Sequence, residues 1–486
     1  MNSIRSAVLS ALALTIVLGL MIFGAGSVVR AATLTVGNLS STPCTGTYST
    51  ISAAVAAASA GDTIKVCPGT YPESVGVDKG LIINGANAGI SPNAGSRLTE
   101  SVVTGASPTI RLNTTDSVTI DGFTFSGTTG AIIDSYMTGN KPTIERNIFT
   151  AAADSFFFAN SDIVTFEDNY LHDLTDCDVC EGLFLAGNWN GATGTVASIK
   201  SNVWSTVGGP GMNLSNVKGT LSGNRFSFVT YYGSLLANGT NLDVSGNTFD
   251  HTINPNPTVR TWGAGVRFFT PSAGFGARIT GNTFTSNYVG IGVRQGTSDP
   301  TVDITGMDVY AHQNNFVGNT AAGLRHDGLG TFNATCNWWN SPSGPTNVGN
   351  PGGTGDVVDG TGPVTFKPWL VAPGPSGSCL GGLPPKDCKK ALEQKEADFE
   401  ARQRAADKAF DDQQKAAKKA FEATHPTAAQ KRAFDDQQRA ARKAFDGQQE
   451  AAEKAFNKQN EIDEKQCESG KDDKDDKKDK GEKHDH

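Results

Sequence analysis

Two kinds of residue in the sequence have types and spacing that could support chemistry, and the first is a cluster of carboxylates. The segment from His172 to Glu181 carries Asp173, Asp176, Asp178 and Glu181 around a Cys-x-x-Cys motif. Clustered carboxylates on a loop suit Ca²⁺, so Asp176, Asp178 and Glu181 are candidate ligands, although their spacing matches no established calcium motif. The alternative is a solvated loop held by a disulfide between Cys177 and Cys180. A zinc site at these two cysteines would need a second pair nearby, which the sequence does not offer locally.

The second kind is a set of arginines in a short Gly-apolar-Arg motif. The motif occurs three times, at Gly265-Val266-Arg267, Gly292-Val293-Arg294 and Gly323-Leu324-Arg325. If the apolar residue of each copy points inward, Arg267, Arg294 and Arg325 point outward and form a column. Guanidinium groups in a row suit the carboxylates or sulfates of an acidic glycan. The alternative is three solvated arginines paired with Asp250, Asp327 or other neighbours.

Candidates for catalysis are fewer and more scattered. General acid–base chemistry uses carboxylates and histidines, and a hydrolase needs two carboxylates that face each other across the scissile bond. The residues of these types in the same part of the chain are Asp250, His251, Arg267, His326 and Asp327. The simpler interpretation of His251 and His326 is that they are surface histidines.

A repeat supplies the elements that must position these residues. An apolar residue, two small or polar residues, an Asn, any residue and a large apolar residue recur along the middle of the chain. The Asn positions are Asn147, Asn169, Asn202, Asn224, Asn247 and Asn282, with weaker copies at Asn314 and Asn337. Successive gaps are 22, 33, 22, 23, 35, 32 and 23 residues, which is typical of a solenoid.

Within each copy apolar and polar residues alternate in runs too short for helices, so each copy predicts two or three short strands. A chain that stacks such turns is a parallel β-helix. Asn tolerates the left-handed backbone of a sharp bend, and a column of Asn can hydrogen-bond amide to amide. An Asn-rich disordered repeat is the alternative, but the recurring Phe, Trp and Ile need to be buried.

Two copies are enlarged at the same corner, by residues 172–181 and 250–262. Coils stack about 4.8 Å apart, so these loops would wall a shallow groove roughly 14 Å wide. Its floor would include Asn213, Tyr231 and Tyr232. We take Tyr231, Tyr232 and Trp262 as the aromatic candidates for ligand binding, beside the three arginines.

Both ends of the repeat region contain specific motifs. Thr50 can cap a short amphipathic helix from Ile51 to Ser59, and a GDTI-x-V-x-PGTY segment and an L-x-I-x-G strand follow it. Cys336-Asn337-Trp338-Trp339 and Ser343-Gly344-Pro345 lie at the other end. These segments resemble the ends of secreted right-handed parallel β-helix proteins of the pectin-lyase-like superfamily, including the group similar to periplasmic NosD.

The resemblance implies a fold more than a chemistry. It implies a right-handed parallel β-helix over residues 33–371 with an N-terminal capping helix. The superfamily contains lyases, hydrolases, binding proteins and structural spikes. A lyase of this group would use clustered Asp for calcium and a basic residue to abstract a proton. The Asn-Thr-Asp, paired-Asp and Gly-His-Gly signatures of the polygalacturonase branch are absent from this sequence.

The N-terminal segment and the cysteines indicate the compartment. Residues 1–32 contain Arg5, an apolar run and Val29-Arg30-Ala31, which predicts a signal peptide for export, with an uncleaved anchor as the alternative. No second apolar span of that length occurs, so we expect no membrane span after the signal is removed. Eight cysteines fit an oxidising compartment, and their positions suggest brackets around structural units. They are Cys44 and Cys67, Cys177 and Cys180, Cys336 and Cys379, and Cys388 and Cys467.

The C-terminal region has a different composition. Residues 386–486 hold 24 of the 41 Lys and Arg and 25 of the 49 Asp and Glu. After a Gly- and Pro-rich linker at 372–387, Phe recurs every 11 residues at Phe399, Phe410 and Phe421 and again at Phe434, Phe445 and Phe456. An 11-residue period keeps one stripe on a helix, and Pro426 separates the two sets.

The two sets predict an antiparallel helical hairpin over residues 388–467, closed at its base by Cys388 and Cys467. Two separate charged helices, stabilised by their own i,i+4 pairs, are the alternative. Residues 468–486 are nearly all Lys, Asp, Glu and Gly and predict a disordered tail.

Together these patterns favour a secreted or cell-surface protein that binds a polysaccharide or a cell-envelope component without catalysis. The net charge of −8 gives no reason to expect a nucleic-acid partner. The first alternative is a polysaccharide lyase or glycoside hydrolase that acts on an acidic glycan, and the second is a structural spike. No cofactor other than Ca²⁺ is suggested.

Overall fold

A computed structural model describes most of the chain. The described residues are 31–37, 44–127, 130–151, 154–161, 163–174, 181–188, 194–256, 258, 260–270, 275–294, 301–375 and 377–469. The predicted signal peptide up to residue 30, the charged tail from residue 470, Asp176, Asp178, Cys177 and Cys180 lie outside them. The chain divides into two compact units, one of residues 1–366 and 373–375 and one of residues 367–372 and 376–486.

Three long sheets of parallel strands build the first unit. The first sheet has 13 strands: Thr33–Val36, Thr63–Val66, Ile82–Asn84, Ser117–Asp121, Lys141–Glu145, Ile163–Glu167, Val196–Lys200, Lys218–Ser222, Asn241–Ser245, Gly276–Thr280, Asp308–His312, Phe332–Asn333 and Val364–Thr365. The second sheet has 12: Val75–Val77, Ile110–Leu112, Ala131–Ser135, Asp154–Ala159, Leu183–Ala186, Met212–Ser215, Gly233–Asn238, Ala264–Thr270, Val289–Val293, Ala322–His326, Gly355–Asp359 and Pro345–Thr346. The third has 10: Gly69–Tyr71, Ser101–Val103, Thr124–Ser126, Ile148–Thr150, Tyr170–Leu174, Val203–Val207, Arg225–Val229, Thr248–Asp250, Thr283–Thr285 and Asn315–Val317.

Each turn of the chain contributes one strand to each sheet. The turn that begins with Lys218–Ser222 in the first sheet continues with Arg225–Val229 in the third and Gly233–Asn238 in the second. Consecutive turns then pair in parallel, for example Phe226 with Phe249. The prediction of a right-handed parallel β-helix followed by a helical hairpin is therefore confirmed.

The recurring Asn forms a continuous ladder through the interior. At each step the side-chain oxygen of one Asn accepts hydrogen bonds from the backbone and side-chain nitrogens of the Asn one coil before it, as in Asn202 to Asn224, both at 3.0 Å. The side-chain nitrogen also donates to a carbonyl, as Asn224 does to Ile199 at 2.9 Å. All eight predicted Asn are at most 1% exposed. The predicted amide ladder is present, and it satisfies every buried Asn nitrogen and oxygen along the column.

The other reason given for Asn was wrong. The left-handed backbone lies one residue before each Asn, at Arg146, Asp168, Ser201, Gly223, Gly246, Gly281, Gln313 and Cys336, with φ between 53° and 66°. The Asn itself is selected by the hydrogen bonds that its amide makes. Three of the eight bends use Gly, which adopts this conformation without strain.

A second column of stacked rings fills the interior beside the ladder. Phe226, Phe249, Phe284 and Phe316 stack in sequence between Trp204 and Trp339, with centroids 4.4–5.2 Å apart. These are the large apolar residues two positions after each Asn. The ladder sets the spacing of the coils, and the rings bury the apolar area that stabilises the stack.

A short helix, α1 (Ile51–Ala57), lies near the start of the β-helix. Thr50 caps it, as predicted, by accepting a hydrogen bond from the Ala53 nitrogen at 3.1 Å. The Glu73 carboxylate accepts two more from the first turn, from Ile51 at 2.7 Å and Ser52 at 2.9 Å. The helix ends two residues before the predicted Ser59. Nearby, Cys44 and Cys67 form a disulfide.

The second unit contains two long helices, α2 (Pro385–Glu422) and α3 (Ala428–Ser469), and a small antiparallel pair of strands, Trp369–Leu370 and Cys379–Gly381. The six Phe pair across the helices as Phe399–Phe456, Phe410–Phe445 and Phe421–Phe434, with centroids 4.1–4.4 Å apart. Cys388 and Cys467 continue the same 11-residue spacing and form a disulfide. An antiparallel register requires these matched steps.

Candidate functional site

The three arginines do not form the predicted column. In the second sheet Arg267 pairs with Gly292, and Gly292 pairs with Arg325. Arg294 therefore lies two residues further along its strand. The motif was misaligned because Gly290 and Gly292 both precede an apolar residue. Gly290 is the true equivalent of Gly265 and Gly323, since a Cβ there would meet the Gly323 oxygen at 2.4 Å and the Phe316 ring at 2.8 Å.

Arg267 is buried rather than exposed. Only 1% of its surface is accessible, and its single hydrogen bond runs from Nε to the Thr261 hydroxyl at 3.3 Å. Its Nη1 has no hydrogen-bond partner. Within the described part of the chain no carboxylate pairs with it. Burial and the nearby Arg294 charge lower the pKa of Arg267 to about 9, so this guanidinium is held in a place that disfavours its charge.

Aromatic rings take the place of a carboxylate around these arginines. The Arg267 guanidinium lies 5.4 Å from the centre of the Tyr232 ring and 5.3 Å from that of Phe269. Arg294 lies 4.4 Å from the same Phe269 ring. Trp262 packs edge-on against Tyr232 at 4.8 Å and against Tyr231 at 6.4 Å. We call Tyr232, Trp262, Arg267, Phe269 and Arg294 the arginine–aromatic site.

The burial pattern gives this site an outer rim and a charge behind it. Tyr232, Trp262, Phe269 and Arg294 are partly exposed, whereas Arg267 and Thr261 are buried. Cation–π contacts stabilise a guanidinium only partly when it is desolvated. The arrangement therefore presents aromatic faces and two neighbouring positive charges to a ligand.

Arg325, the third arginine of the predicted column, belongs to a structural ion pair. Its Nε and Nη2 donate to the two Asp359 oxygens at 2.8 and 2.7 Å, and its Nη1 donates to the Arg260 carbonyl at 3.0 Å. Arg260 itself pairs with Asp359 at 3.4 Å and with Asp327 at 3.6 Å. These contacts saturate Arg325, so we remove it from the candidate ligand-binding residues.

The predicted groove is present in part. The floor residue Asn213 donates to Glu181 at 3.2 Å and accepts from Asn238 at 2.9 Å. At the other wall Trp262 contacts Tyr231 and Tyr232, as described above. Most of the first wall, with the candidate calcium ligands Asp176 and Asp178, lies outside the described residues. Among the described residues no three His, Cys, Asp or Glu side chains cluster closely enough to hold a metal ion.

The candidate catalytic residues do not converge. Asp250 and His251 contact each other, with 2.6 Å between a carboxylate oxygen and Nδ1, and the His251 ring stacks on Phe228 at 5.0 Å. Asp327 is buried and faces Arg260. His326 is wholly buried, so its interpretation as a surface histidine was wrong. It occupies an inward position because its register partner Val293 also points into the interior.

Burial of His326 predicts loss of stability in acid. Its Nε2 donates to the Gly330 carbonyl at 2.7 Å, and its Nδ1 accepts from the Gly328 nitrogen at 3.3 Å, which fits the neutral ring. Burial lowers the pKa of His326, and also that of His312, below the ordinary value of 6.5. The unfolded chain therefore takes up protons first as pH falls, and stability present above pH 6.5 is lost below it.

We expect the unfolding midpoint in denaturant to fall between pH 7 and pH 5, with a slope of at most about 1.4 kcal/mol per pH unit for each histidine. The His326→Gln variant has no proton to take up in this range and should show a shallower dependence. Equal slopes in the two proteins would contradict this assignment.

Two residues of the arginine–aromatic site were missed at the sequence level. Phe269 is the extra residue of a bulge, since Ala237 pairs with Phe268 while Asn238 pairs with Thr270. Two adjacent Phe break the alternation of the strand, and that break was the available signal. Thr261 contacts Arg267 from a loop, and no pattern in the sequence points to it.

Comparison with known proteins agrees with this architecture. Residues 55–264 match the family model described as periplasmic copper-binding protein (NosD). The chain is a parallel β-helix protein with a NosD-like segment. No curated protein matches it significantly.

Two solved structures are similar in fold. Pectate lyase Pel9A is 14% identical over 70% of this chain and 78% of that chain, with a TM-score of 0.27. The PL6 family polysaccharide lyase Pedsa3628 from Pseudopedobacter saltans is 12% identical over 64% of this chain and 90% of that chain, with a TM-score of 0.27. Neither likeness bears on the chemistry of the NosD-like protein. In its described part no helix combines the length and hydropathy needed to cross a membrane.

Proposed function

We propose that the protein binds an acidic polysaccharide or another acidic cell-envelope polymer, outside the cytoplasm, at the arginine–aromatic site. The observation that carries the proposal is the buried Arg267 guanidinium, which has no carboxylate partner among the described residues and lies beside a second arginine. A buried charge without a counter-charge costs free energy, and an anionic ligand would offset part of that cost.

The chemistry of the rim supports a sugar ligand. Trp262 and Tyr232 offer aromatic surface on which the apolar face of a pyranose ring can pack, and Arg294 can donate paired hydrogen bonds to a carboxylate or sulfate. Arg267 contributes from behind this rim, where low dielectric strengthens its attraction for a negative group. The flat neighbouring β-surface leaves room for further sugar units along the stack.

Disulfides support the location. Cys44–Cys67 and Cys388–Cys467 are formed, and Cys336 and Cys379 are also disulfide-bonded. Disulfides persist in oxidising compartments such as the periplasm and the extracellular space. The predicted signal peptide at residues 1–32 would take the chain there.

Calorimetric titration of the mature protein with oligogalacturonate, and with a neutral oligosaccharide of equal length, tests the proposal. We expect binding of the acidic ligand only. Arg294→Gln and Trp262→Ala should each weaken it at least about tenfold, which corresponds to ~1.4 kcal/mol. Arg278→Gln is the matched control, because Arg278 pairs with Asp243 and Asp308 on the first sheet. Equal loss in the control, or no binding of acidic polymers from several classes, would overturn the proposal.

Catalysis is the competing function. Incubation with pectic and other uronate polymers, with and without Ca²⁺, would reveal new reducing ends from a hydrolase or unsaturated ends from a lyase. Because the candidate catalytic side chains do not converge, we expect neither product. Detection of either one would replace binding with enzymatic activity as the function of this surface.

A further inference from the structure

The helical hairpin leaves its own core incompletely covered. Of the six paired Phe, only Phe410 is buried, and the other five remain partly exposed. Two helices can enclose a single column of side chains only from two directions. The column is therefore open above and below the plane that contains α2 and α3.

The two open sides differ in chemistry. On one side Arg442 of α3 pairs with Asp411 of α2 at 2.8 Å, with Asp446 at 2.8 Å and with Asp407 at 3.6 Å. Asp411 follows Phe410, and Asp446 follows Phe445. Successive residues of a helix are rotated by about 100°, so the residues that precede these two Phe lie on the opposite side.

That opposite side carries almost no charge. Continued in steps of three and four residues, it consists of exposed Ala405, Ala409, Gln413, Ala416 and Ala420 on α2 and Ala433, Gln437, Ala440, Ala444, Gln448, Ala451 and Ala455 on α3. Across both helices 36 of the 85 residues between 385 and 469 are charged, 18 basic and 18 acidic. A face this free of charge is not expected on a helix pair that is solvated on every side. We call it the uncharged face.

The hairpin also has opposite charges at its two ends. Between the Phe410–Phe445 layer and the loop, residues 411–444 hold 8 basic and 5 acidic residues, a net charge of +3. Towards the disulfide, residues 385–409 and 446–469 hold 10 basic and 13 acidic residues, a net charge of −3. A second hairpin laid antiparallel would bring each basic tip against an acidic base, whereas a parallel one would oppose like charges.

We propose that the uncharged face docks on the uncharged face of a second copy of this chain, with the two hairpins antiparallel about a two-fold axis. The product is a four-helix bundle in which the Phe edges left open by one hairpin are covered by the other. The small Ala side chains let the helices approach closely, and the end charges select the orientation.

The mass of the full mature chain in solution tests the association. Light scattering after size exclusion should give about twice the monomer mass at micromolar concentration, as a closed two-fold dimer requires. Ala409→Glu combined with Ala444→Glu places like charges in the middle of the uncharged face and should return the protein to a monomer. The matched control is Ala401→Glu with Gly447→Glu, which adds the same charge on exposed outward positions and should leave the dimer intact.

Crosslinking tests the orientation. Ala420 lies next to the tip layer, and Ala455 lies next to the layer of Phe399 and Phe456. In the antiparallel dimer an Ala420→Cys chain mixed with an Ala455→Cys chain should be joined by a short bis-maleimide, while two Ala420→Cys chains lie roughly 33 Å apart at 1.5 Å per residue and should not. Crosslinking between Ala420→Cys chains alone would overturn the antiparallel arrangement. A monomer at every concentration, or a dimer that the Ala409→Glu/Ala444→Glu variant keeps, would overturn the docking surface itself.

Discussion

Arg267→Met is expected to make the protein more stable while it abolishes acidic-glycan binding. Methionine matches the length of the arginine stem and packs against the Tyr232 and Phe269 rings that already flank it. It also removes a buried charge that has only one hydrogen bond, to Thr261. Replacing uncompensated buried charge by apolar volume raises the free energy of unfolding by about 1–3 kcal/mol.

Arg325→Met is the matched comparison, and we expect the opposite sign. Arg325 lies in the same register row and is also largely buried, but it is paired at two points with Asp359. Its removal leaves the Asp359 carboxylate with only the longer contact to Arg260, at 3.4 Å. Because Asp359 remains a third exposed, water recovers part of the loss, and we expect about 2 kcal/mol of destabilisation.

Denaturant unfolding of the three proteins at pH 7 measures both effects, and titration with oligogalacturonate measures binding. A stabilised Arg267→Met that no longer binds would identify a charge retained for a ligand at the expense of stability. If Arg267→Met is instead destabilised as strongly as Arg325→Met, the guanidinium has a structural partner and the binding proposal loses its main support.

The fold could be predicted from the sequence because its determinants repeat. Asn224 and Asn247 make the same hydrogen bonds one coil apart, so a single physical requirement recurs as a visible period. The hairpin was equally accessible, since Phe399 and Phe456 lie at matched distances from the loop. Repetition converts a weak local signal into a strong one.

The candidate site could not be predicted with the same success because it depends on what is not repeated. The loop that carries Thr261 covers one arginine, and the bulge at Phe269 alters one strand. Nothing in the Gly-Val-Arg motif reveals whether its arginine is paired, buried or exposed. Burial at Arg267, Arg325 and His326 is set by neighbouring coils, and those neighbours are 25 to 37 residues away in sequence.

A second ladder illustrates the same limit. Asn287 donates to the Asn319 oxygen at 3.0 Å, and Asn319 donates to Asp356 at 2.7 Å. The Asn of this ladder follow a Phe by three residues, in Phe284-x-x-Asn287 and Phe316-x-x-Asn319. The phrase occurs too few times to establish a period, although its side chains are as buried and as well bonded as those of the main ladder.

The main ladder is where one substitution should cost most, and Asn224→Asp is the sharpest test. The change keeps the shape of the side chain but replaces an NH₂ group by an oxygen. In the native protein that NH₂ donates to the Ile199 carbonyl and to the Asn247 oxygen, each at 2.9 Å. The variant therefore places an acceptor against two acceptors in a site that is 1% exposed.

We expect Asn224→Asp to lower the free energy of unfolding by about 4 kcal/mol or more, since each buried unsatisfied group costs roughly 1–3 kcal/mol and a charged one costs more. The loss should grow with pH, because burial favours the protonated acid and the unfolded chain releases its proton first. Asn113→Asp, on an exposed side chain, is the control and should change little. Midpoints in denaturant are the appropriate readout, since a stacked repeat need not unfold in two states. Equal midpoints for the two variants would show that packing of the Phe column, rather than the amide ladder, fixes the spacing of the coils.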